Sequence, residues 1–159
     1  MYDILIVGGG PAGLMAGIYA KRAGRSVAII EKFVTGGQLN LIGEVENYLG
    51  FAKIQGPMLA EKFSSHAKSL NVPVIYDEIV DYDISGQTKT LTGKKGTYEA
   101  KAVILAQGCH SKELNIEGET KFKGNGVSYC AVCDGNFFKG KDVAVVGSGD
   151  SAFSDALYL

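Results

Sequence analysis

Apolar positions along the chain fall into short runs broken by glycine-rich turns, and the spacing changes more than once. Asp3 to Val7 reads as a short apolar strand that ends in Gly8-Gly9-Gly10-Pro11-Ala12-Gly13. The following pattern predicts a helix with Leu14, Met15 and Ile18 on its apolar side, Lys21, Arg22 and Arg25 at its polar end, and Gly24 as its stop. Ser26 to Ile30 is a second buried strand, closed by Glu31. Strand, glycine turn, helix and strand in that order begin an α/β fold with a parallel sheet.

Between Thr35 and Phe51 the chain is polar and broken by Gly36-Gly37-Gln38-Leu39 and Glu46-Asn47-Tyr48, the mark of a functional loop. Pro57 then opens a helix with Leu59, Phe63 and Leu70 as its apolar stripe and His66 beside it, packed or half exposed. Val74 to Ile84, Thr88 to Thr92 and Thr97 to Ala100, separated by Ser85-Gly86 and Gly93-Lys94-Lys95-Gly96, predict a small antiparallel meander. Ala102 to Ala106 is a further buried run ending at Gln107-Gly108. A polar, linker-like segment from Ser111 to Asn125 leads to Cys130-Ala131-Val132-Cys133-Asp134. Asp142 to Val146 is a last apolar strand, followed by Gly147-Ser148-Gly149-Asp150-Ser151-Ala152 and a helix that runs to Leu159.

The two glycine motifs align when shifted by 139 positions, so that Asp3 falls on Asp142, Gly8 on Gly147, Gly10 on Gly149 and Gly13 on Ala152. The second copy stops one helix in. A parallel strand without a sheet is unstable alone, so the 159 residues are expected to be a portion of a longer protein.

Composition narrows the classes. With 46% hydrophobic and 21% charged residues the chain is globular, and a net charge of −1 offers no basic stripe for nucleic acid. No apolar run approaches the roughly 18 residues of a membrane helix. The start lacks the basic and apolar regions of a secretory signal, and three cysteines do not make a secreted disulfide framework. Cytoplasm is the default, where a C-x-x-C is redox-active or metal-binding.

Gly8-x-Gly10-x-x-Gly13 follows a strand, opens a helix and has a carboxylate, Glu31, 18 residues beyond Gly13. Gly8 suits the tight turn, Gly10 a close approach to a pyrophosphate, and Gly13 close helix–strand packing. Glu31 suits a ribose diol and disfavours a 2′-phosphate, which points to FAD or NAD. Gly36-Gly37-Gln38 and Asn47 are candidate donors to a second part of that ligand, and an extended ligand favours FAD. The alternative is a glycine turn and loop that hold nothing.

Cys130 and Cys133 have two readings. As a redox couple they form a disulfide within one turn, with Asp134 as proton donor and acceptor or as a helix N-cap. As half a zinc site they need two more ligands, for which Cys109, His110 and His66 are the candidates. Cys109 itself reads as a small buried hydrophobe.

Taken together, Gly8 to Gly13, Gly36-Gly37-Gln38-Leu39, Glu44-Val45-Glu46-Asn47, Val127 to Gly135 and Gly147 to Ala152 resemble the motifs of the low-molecular-weight bacterial thioredoxin reductases, in their order and over all 159 residues. The resemblance implies a Rossmann-like FAD-binding domain over 1–113 and the start of a second Rossmann-like, NAD(P)H-type domain over 114–159. It implies a homodimer that reduces thioredoxin or a thioredoxin-like protein, with electrons from NADPH by way of FAD. Cys133 would face the flavin, Cys130 would attack the partner disulfide, and Asp134 would serve as acid and base. Gly8, Gly9, Gly10, Pro11, Ala12, Gly13, Glu31, Lys32, Gly37, Gln38, Asn47, the backbone at Ile79, and Ala106 to Gly108 would line FAD. Gly147, Gly149, Asp150, Ser151 and Ala152 would form the second nucleotide turn. Gln107 stands where the family has threonine, and Ser154-Asp155 where it has paired glutamates. The first of those positions lies near the nicotinamide in the family, so Ser154 opens the alternative of reduced ferredoxin as donor. A peroxiredoxin-type disulfide is the alternative substrate.

Overall fold

Alternation of side chains along the first strands decides how the layers form. The computed structural model describes Met1 to Leu159. It divides into two units, Met1–Cys109 and His110–Leu159. The first is mixed α/β, built on one six-stranded sheet in the order β3-β2-β1-β6-β5-β4. Its strands are β1 (Tyr2–Val7), β2 (Val27–Glu31), β3 (Val74–Tyr76), β4 (Ile79–Asp83), β5 (Lys89–Gly93) and β6 (Thr97–Leu105).

Ile6 and Ile29 point to the face covered by α1 (Pro11–Arg22) and α2 (Gly56–Ser69), where they pack with Leu14, Ile18, Ala67 and Val72. Leu5, Val7, Ala28 and Ile30 point to the opposite face and meet Leu91 and Ala100. A period of two therefore fills both faces of β1 and β2, as a doubly covered parallel sheet requires. The stripe on α1 is narrower than expected: Leu14 and Ile18, four apart, are buried, whereas Met15 is 52% exposed. Gly24 ends this helix as predicted, with φ +70, and the N–H groups of Gly24 and Arg25 bond to the carbonyls of Lys21 and Ala20.

The predicted antiparallel meander is present as β4-β5-β6, but the strand pairings correct its two ends. Val74–Tyr76 pairs parallel with β2 and belongs to the other side of the sheet. The two runs at Thr97–Ala100 and Ala102–Ala106 are one strand, β6, which pairs antiparallel with β5 and parallel with β1. Tyr2 and Lys89 flank the same residue, Ala100. One long strand thus joins the parallel and antiparallel halves, a junction that turn residues alone do not announce.

Asp77, just after β3, is buried with its carboxylate facing Gly93. It accepts the N–H groups of Glu78 (2.7 Å) and Lys95 (3.1 Å) and the hydroxyl of Tyr98 (2.8 Å). The loop after β2 contains a short 3-10 turn, Gly37–Leu41, and an isolated bridge between Val45 and Ile54. Leu59 of α2, with Leu39, Phe51 and Phe63, closes over that bridge. His66 lies on the exposed side of α2.

The second unit contains α3 (Glu119–Phe122), α4 (Ala131–Asp134) and α5 (Asp150–Tyr158). Two expectations fail here. The segment from Ser111 to Asn125 is not a plain linker, because it includes α3 and the buried Glu119. Residues 142–146 form no strand, and Val143, Val145 and Val146 are exposed. An apolar run becomes a strand only when a neighbour takes its N–H and C=O groups, and this unit offers none. No helix in the chain is long and apolar enough to cross a membrane.

Candidate functional site

Register brings the first motif together. Val7 lies opposite Ile30 in β2 and Leu105 in β6. The three strands therefore end level, and Gly8, Glu31 and Ala106 emerge side by side at their carboxyl ends, where open α/β sheets bind ligands. Gly8 has φ +105, and a Cβ there would sit 2.3 Å from the Ala106 carbonyl oxygen. Only glycine fits both constraints. At Gly13 a Cβ would lie 1.9 Å from the carbonyl oxygen of Gly8, so helix and turn touch backbone to backbone.

Gly10 is the extended residue before α1, and Pro11 opens the helix. No side chain caps this helix and no acidic residue lies in its first turn, so its first N–H groups and the positive end of its dipole are free for an anion. Glu31 Oε2 accepts the Gly9 N–H at 2.7 Å, and Oε1 accepts the Phe33 N–H at 3.0 Å. Each oxygen retains a lone pair for a further donor. Gly36 donates to the Gly9 carbonyl at 2.8 Å, and a Cβ on Gly37 would stand 3.1 Å from Gly10 Cα. Gln38 Nε2 donates to the Cys109 carbonyl.

Gly8, Gly9, Gly10, Gly13, Glu31, Gly37, Gln38 and Ala106 thus form one cluster, with Pro11 and Ala12 exposed at the start of α1. Gly108 follows with φ +71, and Cys109 is exposed, contrary to the buried role expected for it. Its position beyond the end of β6 removes it from the sheet's core. Lys32 turns to Glu78, 2.8 Å away and next to Ile79 at the start of β4. That ammonium, with Lys94, holds the Glu78 carboxyl below its ordinary value. Asn47 stands apart, exposed, two residues beyond the isolated bridge.

The dithiol is organised within the second unit. Cys130 and Cys133 are joined as a disulfide, with Cα atoms 5.3 Å apart. Cys130 is the N-cap of α4, and its sulfur accepts the Cys133 N–H at 3.2 Å. Asp134 is the last residue of α4 and does not cap it. The Asp134 carboxylate accepts the Ser128 hydroxyl, and Ser128 Oγ receives the Cys130 N–H at 3.1 Å. One hydroxyl therefore ties the acid to the backbone of the first cysteine. On the other flank, Asp155 Oδ1 of α5 accepts the Ala131 N–H at 3.3 Å. No group of three or more histidine, cysteine or acidic side chains is placed so that it could hold a metal ion.

In the second glycine motif, Gly147 has φ +147 and Gly149 is the extended residue before α5. As at Gly8 and Gly10, a glycine of positive φ is followed two residues later by an extended one, and Asp150, Ser151 and Ala152 form the first turn. A Cβ on Gly147 would lie 2.9 Å from that of Ala152.

Ser128 and Tyr129 fall within the motif at Val127 to Gly135, but the sequence assigns no role to them or to Glu119. Glu119 is buried beneath the segment before the dithiol, where it accepts the N–H groups of Leu114 (2.9 Å) and Asn115 (2.7 Å) and the Tyr129 hydroxyl. A lone glutamate in a polar stretch carries no spacing signal. Only its fold shows that it collects donors.

Comparison with known proteins agrees with this geometry. A curated thioredoxin reductase from Ureaplasma parvum is 45% identical over 159 residues, which is 100% of this chain and 52% of the relative. The crystal structure of thioredoxin reductase from Streptococcus pyogenes superposes with a TM-score of 0.90 at 46% identity, over 99% of this chain and 52% of the other. A ferredoxin-flavin thioredoxin reductase from Clostridium acetobutylicum gives a TM-score of 0.64 at 38% identity, over 99% of this chain and 55% of the other. The chain spans about half the length of the curated relatives it matches. The family model of pyridine nucleotide-disulphide oxidoreductases matches residues 2–159, taking in both glycine turns and the bonded cysteines between them, and the chain belongs to that family.

Proposed function

We propose that this chain carries the flavin cradle and the dithiol of an FAD-dependent thioredoxin-disulfide reductase. The observation that carries the reading is the Cys130–Cys133 disulfide on a helix start, followed directly by Asp134, in a chain that also holds the first glycine turn. That turn fits FAD. The uncapped start of α1 suits a pyrophosphate, Glu31 has lone pairs left for a ribose diol, and the Gly10–Gly37 approach is one that a side chain would fill. Lys32, Gln38, Asn47, the Ile79 backbone and Ala106 to Gly108 complete the assignment.

Bound flavin would supply the electron pair that opens the disulfide. The rest belongs to this chain's own groups. Cys133 is the sulfur assigned to the flavin side and Cys130 the one that attacks the partner's disulfide. The Cys133 N–H, already on the Cys130 sulfur, stabilises negative charge there. Cys130 forms a mixed disulfide with the partner, and Cys133 then attacks Cys130 and releases the partner's second thiolate. Asp134, held by Ser128, gives and takes the accompanying protons.

The family likeness supports residues 1–113 as part of the FAD domain and 114–159 as the start of the NAD(P)H-type domain, with Gly147 to Ala152 as its nucleotide turn. The relatives' names support thioredoxin as partner, and we take the protein as a cytoplasmic homodimer. NADPH is the first choice of donor. Ser154, and the likeness to the clostridial protein, favour reduced ferredoxin as the second. Turnover of thioredoxin by a flavin-loaded protein of the relatives' length, with each donor in turn, tests the reading. Activity that survives both Cys130→Ser and Cys133→Ser would sink it.

A further inference from the structure

We infer that Asp155 is a positioning residue that keeps the Cys130–Cys133 couple strongly reducing. The inference deepens the redox reading and rests on it. Four residues make up α4, and three of its N–H groups have named partners. Cys133 N–H goes to the Cys130 sulfur, Asp134 N–H to the Cys130 carbonyl at 3.1 Å, and Ala131 N–H to Asp155 at 3.3 Å. The Ala131 N–H directly follows Cys130, and Ala131 is buried. Asp155 comes from a different helix, α5, whose end also packs on this turn: a Cβ on Gly135 would meet Leu159 at 3.1 Å and Tyr158 at 3.5 Å. The carboxylate is therefore held in place from both helices.

Its charge bears on the redox equilibrium. Reduction by glutathione breaks the Cys130–Cys133 bond in two exchanges. One glutathione forms a mixed disulfide, and a second attacks its sulfur so that the two leave together as oxidised glutathione, with the two protein sulfurs taking up protons or remaining thiolates. A thiolate at Cys130 is favoured by free helix N–H groups and opposed by a nearby negative charge. Asp155 supplies the charge and occupies the N–H. It thereby disfavours the reduced, partly ionised pair, and a couple whose reduced form is less stable is the stronger reductant. Asp134, the other carboxylate on this turn, acts in the same sense but is held by Ser128 on the opposite flank.

The test is the equilibrium of the dithiol with a glutathione redox buffer near neutral pH, read by acid quench and mass of the alkylated chain. A Cys109→Ser background removes the exposed third cysteine. Asp155→Asn, which keeps an acceptor oxygen but not the charge, should move the equilibrium constant toward the dithiol by about threefold to tenfold. Asp155→Glu, which keeps the charge, should stay within about twofold of the parent. An Asp155→Asn value equal to the parent, or an Asp155→Glu shift as large, overturns the inference and leaves the redox reading standing. A parent pair that does not exchange with glutathione overturns both, and it does so without any Asp155 variant.

Discussion

The Tyr129 hydroxyl donates a 2.6 Å hydrogen bond to Glu119 Oε1, anchoring the residue immediately before the dithiol to a buried carboxylate. The same carboxylate gathers the N–H groups of Leu114 and Asn115. The approach to Cys130 is thus held by one side chain rather than by regular structure.

That anchor has a signature at both ends of the pH scale. The Tyr129 hydroxyl, with the backbone donors, holds the Glu119 carboxyl below its ordinary 4.5. Its stabilisation is complete above that value and is lost as pH falls through the lowered one. The Glu119 carboxylate in turn pushes Tyr129 up to about 12, so the hydroxyl's contribution is complete below 10.0 and disappears as pH rises through about 12. Glu119→Gln and Tyr129→Phe should each lower the urea midpoint near neutral pH, and the double variant should lose less than the sum. Strictly additive losses would show that the two groups are not coupled.

Asp77 gives a separate acid limb in the first unit. Burial pushes its carboxyl up, but the Tyr98 hydroxyl and the Lys95 and Glu78 N–H groups together hold it below the ordinary 3.8. Stability from this group is present above that value and is lost as pH falls through the lowered one. Asp77→Asn should flatten the acid-side loss of stability measured by urea unfolding. An unchanged acid limb would assign that loss to other carboxylates.

Gly8→Ala should strain the first turn by roughly 1–3 kcal/mol, because φ +105 disfavours a side chain and the Ala106 carbonyl blocks it. Melting temperature and flavin content should fall together. Glu31→Ala should instead weaken flavin retention by about tenfold, since it frees the Gly9 N–H and removes the ribose acceptor. Flavin binding equal to the parent in both variants would place the cofactor elsewhere.

The parts legible in the sequence were those set by periodicity and glycine chemistry. The unbroken apolar runs within Asp3 to Val7 and Ser26 to Ile30 declared buried strands of a parallel sheet, and Gly8 to Gly13 declared the turn at its carboxyl edge. What stayed hidden depended on neighbours that no local pattern names. The placement of Val74–Tyr76 beside β2 was a choice of partner, as was the fusion of two apolar runs into β6. Residues 142–146 carried a strand's composition but not a strand's company. Glu119, Asp77 and Ser128 are single polar residues whose partners lie in other turns or are met only after folding, so spacing could not single them out.

The most direct measurement is an anaerobic reductive titration of the flavin-loaded protein, extended to its relatives' length, alongside Cys130→Ser and Cys133→Ser. Electron transfer onto the Cys130–Cys133 pair predicts that the parent takes up one more electron pair per flavin than either variant before absorbance stops changing. Equal uptake by all three proteins would contradict it.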